Sequence, residues 1–424
     1  MKSSLTQKLF NNISWNLLAA VLAQGSTFIS TIIVARWLGS DEYGKYSLIY
    51  NTLVTVSGVA GMGLGITATK YVSKYKNTDK NIASGVLGLC ANVAIVSAFT
   101  ITIVILLSSE IIDRYALNMG NFSYLLLFAV LHIFFFILNG FQNGTLIGLE
   151  KFNVIGKINL VVGILTIIAT PLLLTYFDLE GALLSLSLLA FIRWLLTSFS
   201  LRKYLLVSEL EINRRAWKAH FPVFVKFALP AAISSMIGSF AIWISNVIVV
   251  KENIGFQELG YFSAAATLGT ITLFLPKVIN QVFSPMLSSV DRKNEKKMFI
   301  FNLITIIISS VIVMTIIFIL TPTYINILGN DYRDIGAVIH VYQLSCLFQI
   351  LATTFYQRVF VDGNMWIQLF INFVWAIVLI SFTYLNANNG AVGLSYANLI
   401  SWLVSTALYL IYYIKNTWRK NDVA

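Results

Sequence analysis

The chain has 424 residues, 58% of them hydrophobic and only 11% charged, with a mean hydropathy of +0.79 and a formal net charge of +11. A soluble domain carries about 25% charged residues to cover its surface, so a soluble enzyme of several domains is excluded. β-Barrel strands alternate polar and apolar residues and give no long apolar runs, so the expected fold class is an all-α integral membrane protein.

A membrane-crossing helix needs roughly 20 mostly apolar residues. Twelve segments qualify in chain order: 14–38, 43–69, 83–107, 121–148, 157–177, 181–201, 222–250, 259–284, 298–321, 332–358, 365–386 and 390–414. Lys2 and Lys8 precede an apolar run that continues to Leu38 without a small-residue cleavage site, so the opening reads as the first span and not as a signal peptide. The longest connection, 202–221, reads RKYLLVSELEINRRAWKAHF, and no loop is large enough to fold as a separate domain. Its Leu205, Leu206, Val207 and Trp217 among charges predict a helix lying on the membrane surface. His220 in this segment is expected to face solvent.

Lys and Arg in short loops set orientation. With the N-terminus in the cytoplasm, 23 of the 29 basic residues fall on the cytoplasmic side, from Lys70, Lys74, Lys76 and Lys80 to Lys415, Arg419 and Lys420. Arg36, Lys45, Arg114, Lys251 and Arg333 fall on the other face, and Arg193 lies within a span. Both termini are therefore expected in the cytoplasm. Most of the positive charge labels this face and is attracted to anionic headgroups, so no nucleic-acid partner is needed to explain it.

Two cysteines, Cys90 and Cys346, lie inside predicted spans and read as packing residues. The chain has no CxxC, no HExxH and no GxxxxGK[ST], so no metal site or nucleotide-binding loop is expected.

The two halves echo each other. FISTIIVARWLGSDEYGKYS (28–47) pairs with WISNVIVVKENIGFQELGYFS (243–263), matching Ser30 with Ser245. Gly39, Glu42, Gly44 and Ser47 match Gly255, Glu258, Gly260 and Ser263, and Arg36 faces Lys251. Asn159 pairs with Asn372, and Gly181-Ala182 with Gly390-Ala391. Six spans per half make both halves enter the membrane in the same direction. The expected organisation is an N-terminal six-helix bundle (1–201), a cytoplasmic linker with an interfacial helix (202–221) and a C-terminal six-helix bundle (222–424). A pseudo-twofold axis along the membrane normal would relate the bundles.

Ionisable groups inside a membrane are costly and mark pathways. No carboxylate falls at the middle of any predicted span, which disfavours a drug-cation antiporter. The cations behave differently. Arg193 lies inside span six, and Lys277 about two turns inside span eight. Lys70, Lys157, Lys226 and Arg358 sit at cytoplasmic ends of spans. A cationic inner vestibule suits a phosphate group, while the end residues read first as snorkelling to the headgroups, and the deeper Arg193 and Lys277 fit substrate contact or structure alike. Arg36 and Lys251 are candidates for an outer gate acting through Asp41 or Glu252, or for plain surface residues. His132 in span four and His340 in span ten are expected to be buried, as proton-relay candidates or as hydrogen-bonded structural groups.

Amides such as Asn92, Asn139, Gln142, Asn159, Asn246, Asn280, Gln343 and Gln357 interrupt the apolar helices, serving either a wet cavity or helix–helix hydrogen bonds. Gly61 and Gly63 (with Gly58 and Gly65) in span two, and Pro276 and Pro285 in span eight, are hinge candidates, with close packing at glycine as the competing account.

Several short motifs carry a family resemblance. They are Asn16, Arg36-Trp37-Leu38-Gly39 followed by Glu42-Tyr43-Gly44, and Gly63-Leu64-Gly65 with Thr69-Lys70-Tyr71-Val72. The second half adds Phe227-Ala228-Leu229-Pro230, Gly260-Tyr261, Pro276 and Pro285. Over nearly the whole chain these resemble the polysaccharide-flippase branch of the multidrug/oligosaccharidyl-lipid/polysaccharide exporter superfamily. Asn246 departs from it, standing where many relatives carry an acidic residue. The resemblance implies a MATE-like fold of twelve transmembrane helices in two six-helix bundles. It also implies a flippase moving undecaprenyl-pyrophosphate-linked oligosaccharide (an O-antigen, capsule or similar repeat unit of lipopolysaccharide or surface polysaccharide) from the cytoplasmic to the periplasmic leaflet by alternating access. The expected setting is the bacterial inner membrane. Expected partners are the lipid-linked substrate, membrane lipids, a polysaccharide polymerase and other assembly proteins. No cofactor is implied, and a proton or sodium gradient is the candidate energy source. A multidrug antiporter of the same superfamily is the alternative. A membrane glycan polymerase is disfavoured because outer loops of about 4–13 residues leave no room for a catalytic domain.

Overall fold

The computed structural model describes residues 2–117, 119–223, 229–251, 255–289, 292–361 and 364–421. Among them there is no strand. The elements are α1 (Lys2–Tyr75), α2 (Lys80–Leu107), the short α3 (Ser109–Ile112), α4 (Phe122–Gly148), α5 (Phe152–Val207), the short α6 (Trp217–Val223), α7 (Leu229–Lys251), α8 (Gly255–Ser289), α9 (Arg292–Leu328), α10 (Gly336–Val361), α11 (Met365–Leu385) and α12 (Gly390–Asn421).

Two of these, α1 and α5, run on through an internal break. The 56 residues of α5 would reach about 84 Å at ~1.5 Å per residue, far beyond a ~30 Å hydrocarbon core. The chain turns back at Asp178, whose φ of 43° is left-handed. The pairs Leu173/Gly181, Thr170/Ser185 and Asn159/Arg193 then come together about that turn. Trp37 Nε1 donates to Asp178 Oδ1 at 3.1 Å, so a carboxylate next to the membrane is used to hold a turn. α1 breaks in the same way at Gly39, with φ 72°, a conformation that glycine reaches without a Cβ penalty. Its repeat partner Gly255 has φ 73° at the start of α8. Among the described residues nine helices are long and apolar enough to cross a membrane. Dividing α1 at Gly39 and α5 at Asp178 gives eleven, and α7, which carries a shorter apolar stretch (Met236–Lys251), makes the arrangement consistent with twelve spans.

The chain folds as two compact units. The first comprises residues 1–38 and 48–239. In it α4 packs on the α5 hairpin and on α2. The α1–α4 contact is glycine on glycine: a Cβ at Gly140 would lie 2.9 Å from the Gly61 carbonyl oxygen, and one at Gly65 2.8 Å from that of Gly140. Such small-xxx-small spacing lets membrane helices approach closely where no hydrophobic effect drives them together. The segment 202–223 also belongs to this unit and folds onto α2. Asn213 N donates to Ser84 O at 3.2 Å, and Glu211 N to Ser84 Oγ at 3.2 Å. Gly85 and Gly88 make room for it, since a Cβ there would collide with the His220 ring and the Asn213 carbonyl. His220 is therefore half-buried against α2 and not solvent-facing.

The second unit comprises residues 39–47 and 240–424. α10 sits among α8, α9, α11 and α12. The segment 39–47 packs on α8, where Gly44 lies against Phe256 and Gly260. Glu258 Oε2 accepts from Ala391 N at 2.8 Å, capping the start of α12. Large apolar side chains cover the outward faces, such as Phe99, Ile103 and Leu107 on α2 and Ile304, Ile308 and Ile312 on α9. Exposure of this kind marks a surface that meets lipid.

Candidate functional site

A cation lies within the membrane-embedded part of the first unit. Arg193, on the returning arm of α5, is half-buried, and its Nη1 donates to Asn159 Oδ1 on the outgoing arm at 3.0 Å. The turn at Asp178 creates this pair from residues 34 apart. Arg193 is also close enough to Tyr50 of α1 and His132 of α4 for their charges to interact. The Tyr50 and His132 rings meet edge to face at 6.3 Å. His132 stacks on Phe136 at 5.6 Å, and its Nδ1 lies 3.2 Å from Leu186 O. A carbonyl can only accept, so Nδ1 carries the proton and Nε2 is left as an acceptor. That Nε2 is buried and has no hydrogen-bond partner among the described residues. The four residues therefore present a guanidinium, a phenol and an open imidazole acceptor. Among the described residues no carboxylate forms an ion pair with Arg193.

An arginine at a helix centre costs about 2.5–3.5 kcal/mol even on insertion scales. One neutral amide offsets only part of that cost, so the site is short of an anion. Flanking polar pairs fix α4 against α5: Asn139 Nδ2 donates to Thr197 Oγ1 at 3.0 Å, Gln142 Nε2 to Ser198 Oγ at 2.9 Å, and Ser187 Oγ to Phe128 O at 2.7 Å.

The second unit uses its amides to join helices. Asn280 on α8 is the hub. Its Nδ2 donates to Thr354 Oγ1, its Oδ1 accepts from Asn302 Nδ2 and its carbonyl accepts from Gln357 Nε2, each at 3.2 Å. One turn before Pro276, Thr272 Oγ1 donates to Gln343 Oε1 at 2.6 Å. Proline at 276 leaves the Thr272 carbonyl without its helical donor, and the region is tied to α10 by this side-chain bond instead. Asn246 on α7 is 2% exposed, and its Oδ1 has no partner among the described residues.

The remaining sequence candidates are dispersed. Lys277 is exposed on α8, next to buried Pro276. Lys70 is exposed near the end of α1, and Lys157 near the start of α5. Arg358 is half-buried and interacts electrostatically with Tyr413. Arg36 and Lys251 are both exposed, while Asp41 is held by Lys45 at 3.0 Å. His340 is exposed, with its ring edge-on to Phe318 at 5.0 Å. This corrects the expectation that it is buried, because its face of α10 points away from the packed helices. Gly61 and Gly63 are buried in an unbroken stretch of helix, with Gly61 in the glycine contact with α4. Lys226 and the side chain of Pro285 lie outside the described residues, as does Glu252. Among the described residues no group of three His, Cys, Asp or Glu could hold a metal.

Three participants escaped the sequence reading. Tyr50 has no signal, since a tyrosine in an apolar helix is ordinary. Gly140 and Gly144 did have one, the spacing of four that they share with Gly61 and Gly65.

Long apolar helices broken at Gly39 and Asp178, an apolar outer face and an embedded arginine in no ion pair among the described residues define a multi-pass membrane protein. The fold agrees with solved structures. An inward-facing multidrug resistance MATE family transporter of the MOP superfamily superposes with a TM-score of 0.79 at 15% identity, covering 93% of this chain and 96% of that one. The lipid II flippase MurJ in an inward closed conformation gives 0.77 at 16% identity, covering 94% and 87%. A MOP superfamily transporter from Pyrococcus furiosus, described by the reversed polarity of its binding pocket, gives 0.68 at 15% identity, covering 95% and 94%. No curated protein sequence matches the chain. The family model for polysaccharide biosynthesis proteins matches residues 9–291, and the chain belongs to that family. The solved structures that share this fold are described as transporters and a lipid II flippase.

Proposed function

We propose that this protein is a flippase for a polyprenyl-diphosphate-linked oligosaccharide, of the undecaprenyl-pyrophosphate kind. It would carry a surface-polysaccharide repeat unit from the cytoplasmic to the outer leaflet by alternating access. The observation that carries the reading is Arg193, a membrane-embedded cation held by Asn159 with no carboxylate ion pair among the described residues. A diphosphate supplies the missing anion through charge-assisted bonds. The buried Nε2 of His132 accepts a hydroxyl, which a sugar offers and a hydrophobic drug cation does not. A cation exporter needs a membrane-embedded acid to hold its cargo, whereas the embedded charge here is an arginine. Membership of the polysaccharide biosynthesis family agrees with such a cargo.

The basic asymmetry of the loops supports cytoplasmic termini in an inner membrane. A proton or sodium gradient is the energy source we propose, with downstream assembly proteins such as a polymerase consuming the product. Deletion in the native host tests the reading. Lipid-linked oligosaccharide should accumulate in the cytoplasmic leaflet and surface glycan should disappear. Normal surface glycan in a strain lacking any second flippase would overturn it.

A further inference from the structure

Unit one contains a cavity of about 180 Å³ between α2, α4, the last turns of α5 and the segment after it. Its walls are mostly apolar, with Ile95, Phe141 and Leu201 among them. Arg202 and Arg214 line it as well, and both are exposed. They come from different elements and are placed independently. Arg202 sits on α5, while Arg214 is pinned to α2 by Asn92 Nδ2, which donates to its carbonyl at 3.0 Å. Among the described residues no carboxylate lines the cavity and neither arginine is in an ion pair. Gln142 also lines it and is 6% exposed. Its Nε2 is spent on Ser198, but its buried Oε1 has no donor among the described residues.

We propose that this cavity binds the headgroup of an anionic glycerophospholipid of the phosphatidylglycerol type. Two arginines lining one cavity without a carboxylate leave its positive charge uncompensated, which a phosphodiester neutralises, and guanidinium matches phosphate with paired hydrogen bonds. A headgroup hydroxyl supplies the donor that Gln142 Oε1 lacks. The apolar wall and the exposed Phe199, Leu206 and Val207 on the same arm of α5 take the first carbons of the acyl chains. Basic pockets between membrane helices recognise anionic headgroups in this way. The site is separate from the Arg193 cluster, and its failure would leave the flippase reading untouched.

Native mass spectrometry of the detergent-purified full chain tests it, with phosphatidylglycerol and phosphatidylcholine of matched acyl chains as probes. The Arg202→Gln/Arg214→Gln variant should bind phosphatidylglycerol about tenfold more weakly, as one lost charge-assisted bond or more requires, and phosphatidylcholine unchanged. Gln142→Leu should weaken phosphatidylglycerol but not phosphatidic acid, which has no headgroup hydroxyl beyond its phosphate. A Lys203→Gln/Lys218→Gln control removes equal charge at exposed positions outside the cavity and should bind as wild type. Unchanged phosphatidylglycerol binding in the arginine variant overturns the proposal. So does equal weakening in the control, which would mean general surface charge. One-for-one displacement of phosphatidylglycerol by a polyprenyl diphosphate, lost in the arginine variant, would assign the cavity to the transported lipid and also overturn it.

Discussion

Gly44 and Gly260, which occupy matching places in the two halves of the sequence, pack against each other in the second unit. A Cβ on Gly44 would strike the Phe256 carbonyl and come within 3.1 Å of Gly260 N, and a Cβ on Gly260 would strike the Ser40 carbonyl and come within 3.3 Å of Gly44 N. The contact is reciprocal, as expected when a duplicated element meets its own copy. Each glycine is required because the other backbone occupies the space of its side chain. Gly44→Ala and Gly260→Ala should each cost about 1–3 kcal/mol, the usual penalty for overpacking. The double variant should cost less than their sum, because contacting sites are not additive. Thermal unfolding in detergent measures all three, and strict additivity would argue against a shared contact.

The α1–α4 contact makes a sharper comparison between neighbouring glycines. A Cβ on Gly61 has its nearest atom, on the Ile137 backbone, at 3.7 Å, an ordinary van der Waals distance, whereas one on Gly144 collides with the Gly65 backbone. Gly61→Ala should therefore be nearly neutral in melting temperature, and Gly144→Ala should lose about 1–3 kcal/mol. If Gly61→Ala leaves stability intact yet abolishes transport, bending at this position regains support over packing.

Arg193 separates charge from hydrogen bonding. Arg193→Ala should reduce complementation of surface glycan by about tenfold or more at equal protein level, since a charge-assisted bond is worth at least the ~1.4 kcal/mol of a tenfold effect. Arg193→Lys keeps the charge and should retain part of the activity. Asn159→Ala leaves the cation without its amide and should fall between the two. Wild-type glycan in Arg193→Ala would return this residue to a structural role.

The loops of the first unit carry a small pH dependence. Lys76 Nζ donates to Glu150 Oε1 at 2.7 Å, and this bond holds the Glu150 carboxyl below its ordinary value. Lys80 does the same for Glu209. A depressed carboxylate stabilises the fold above its unfolded value of about 4.3 and loses that contribution as pH falls through the lower folded value. Glu150 is exposed, so its pair contributes at most about 0.5 kcal/mol. Lys76→Met should lower the melting temperature slightly at pH 7, and the difference from wild type should vanish near pH 3. A difference that persists at pH 3 would assign the effect to packing of the lysine stem.

The sequence alone carried the membrane class, the all-helical fold, the breaks near Gly39 and Asp178 and the pairing of Gly44 with Gly260. These rest on local properties: an apolar run long enough for a bilayer, a glycine tolerant of positive φ, a charge near a loop. The repeat pairs Gly39 with Gly255, and both have a positive φ, 72° and 73°. Which amide meets which partner was not legible, and neither was the glycine pairing across α1 and α4. Sequence reading placed Arg193 in a span but could not supply Asn159, Tyr50 and His132 around it. It left Arg202 and Arg214 among many loop charges, and it expected His340 to be buried. Those outcomes depend on which faces of distant helices come together, and in a chain where almost every face is apolar, hydropathy does not distinguish the face that meets lipid from the face that meets protein. Only the tertiary packing makes that choice, through close glycine approaches and a few directional hydrogen bonds, and it thereby sets which polar groups are left open to a ligand.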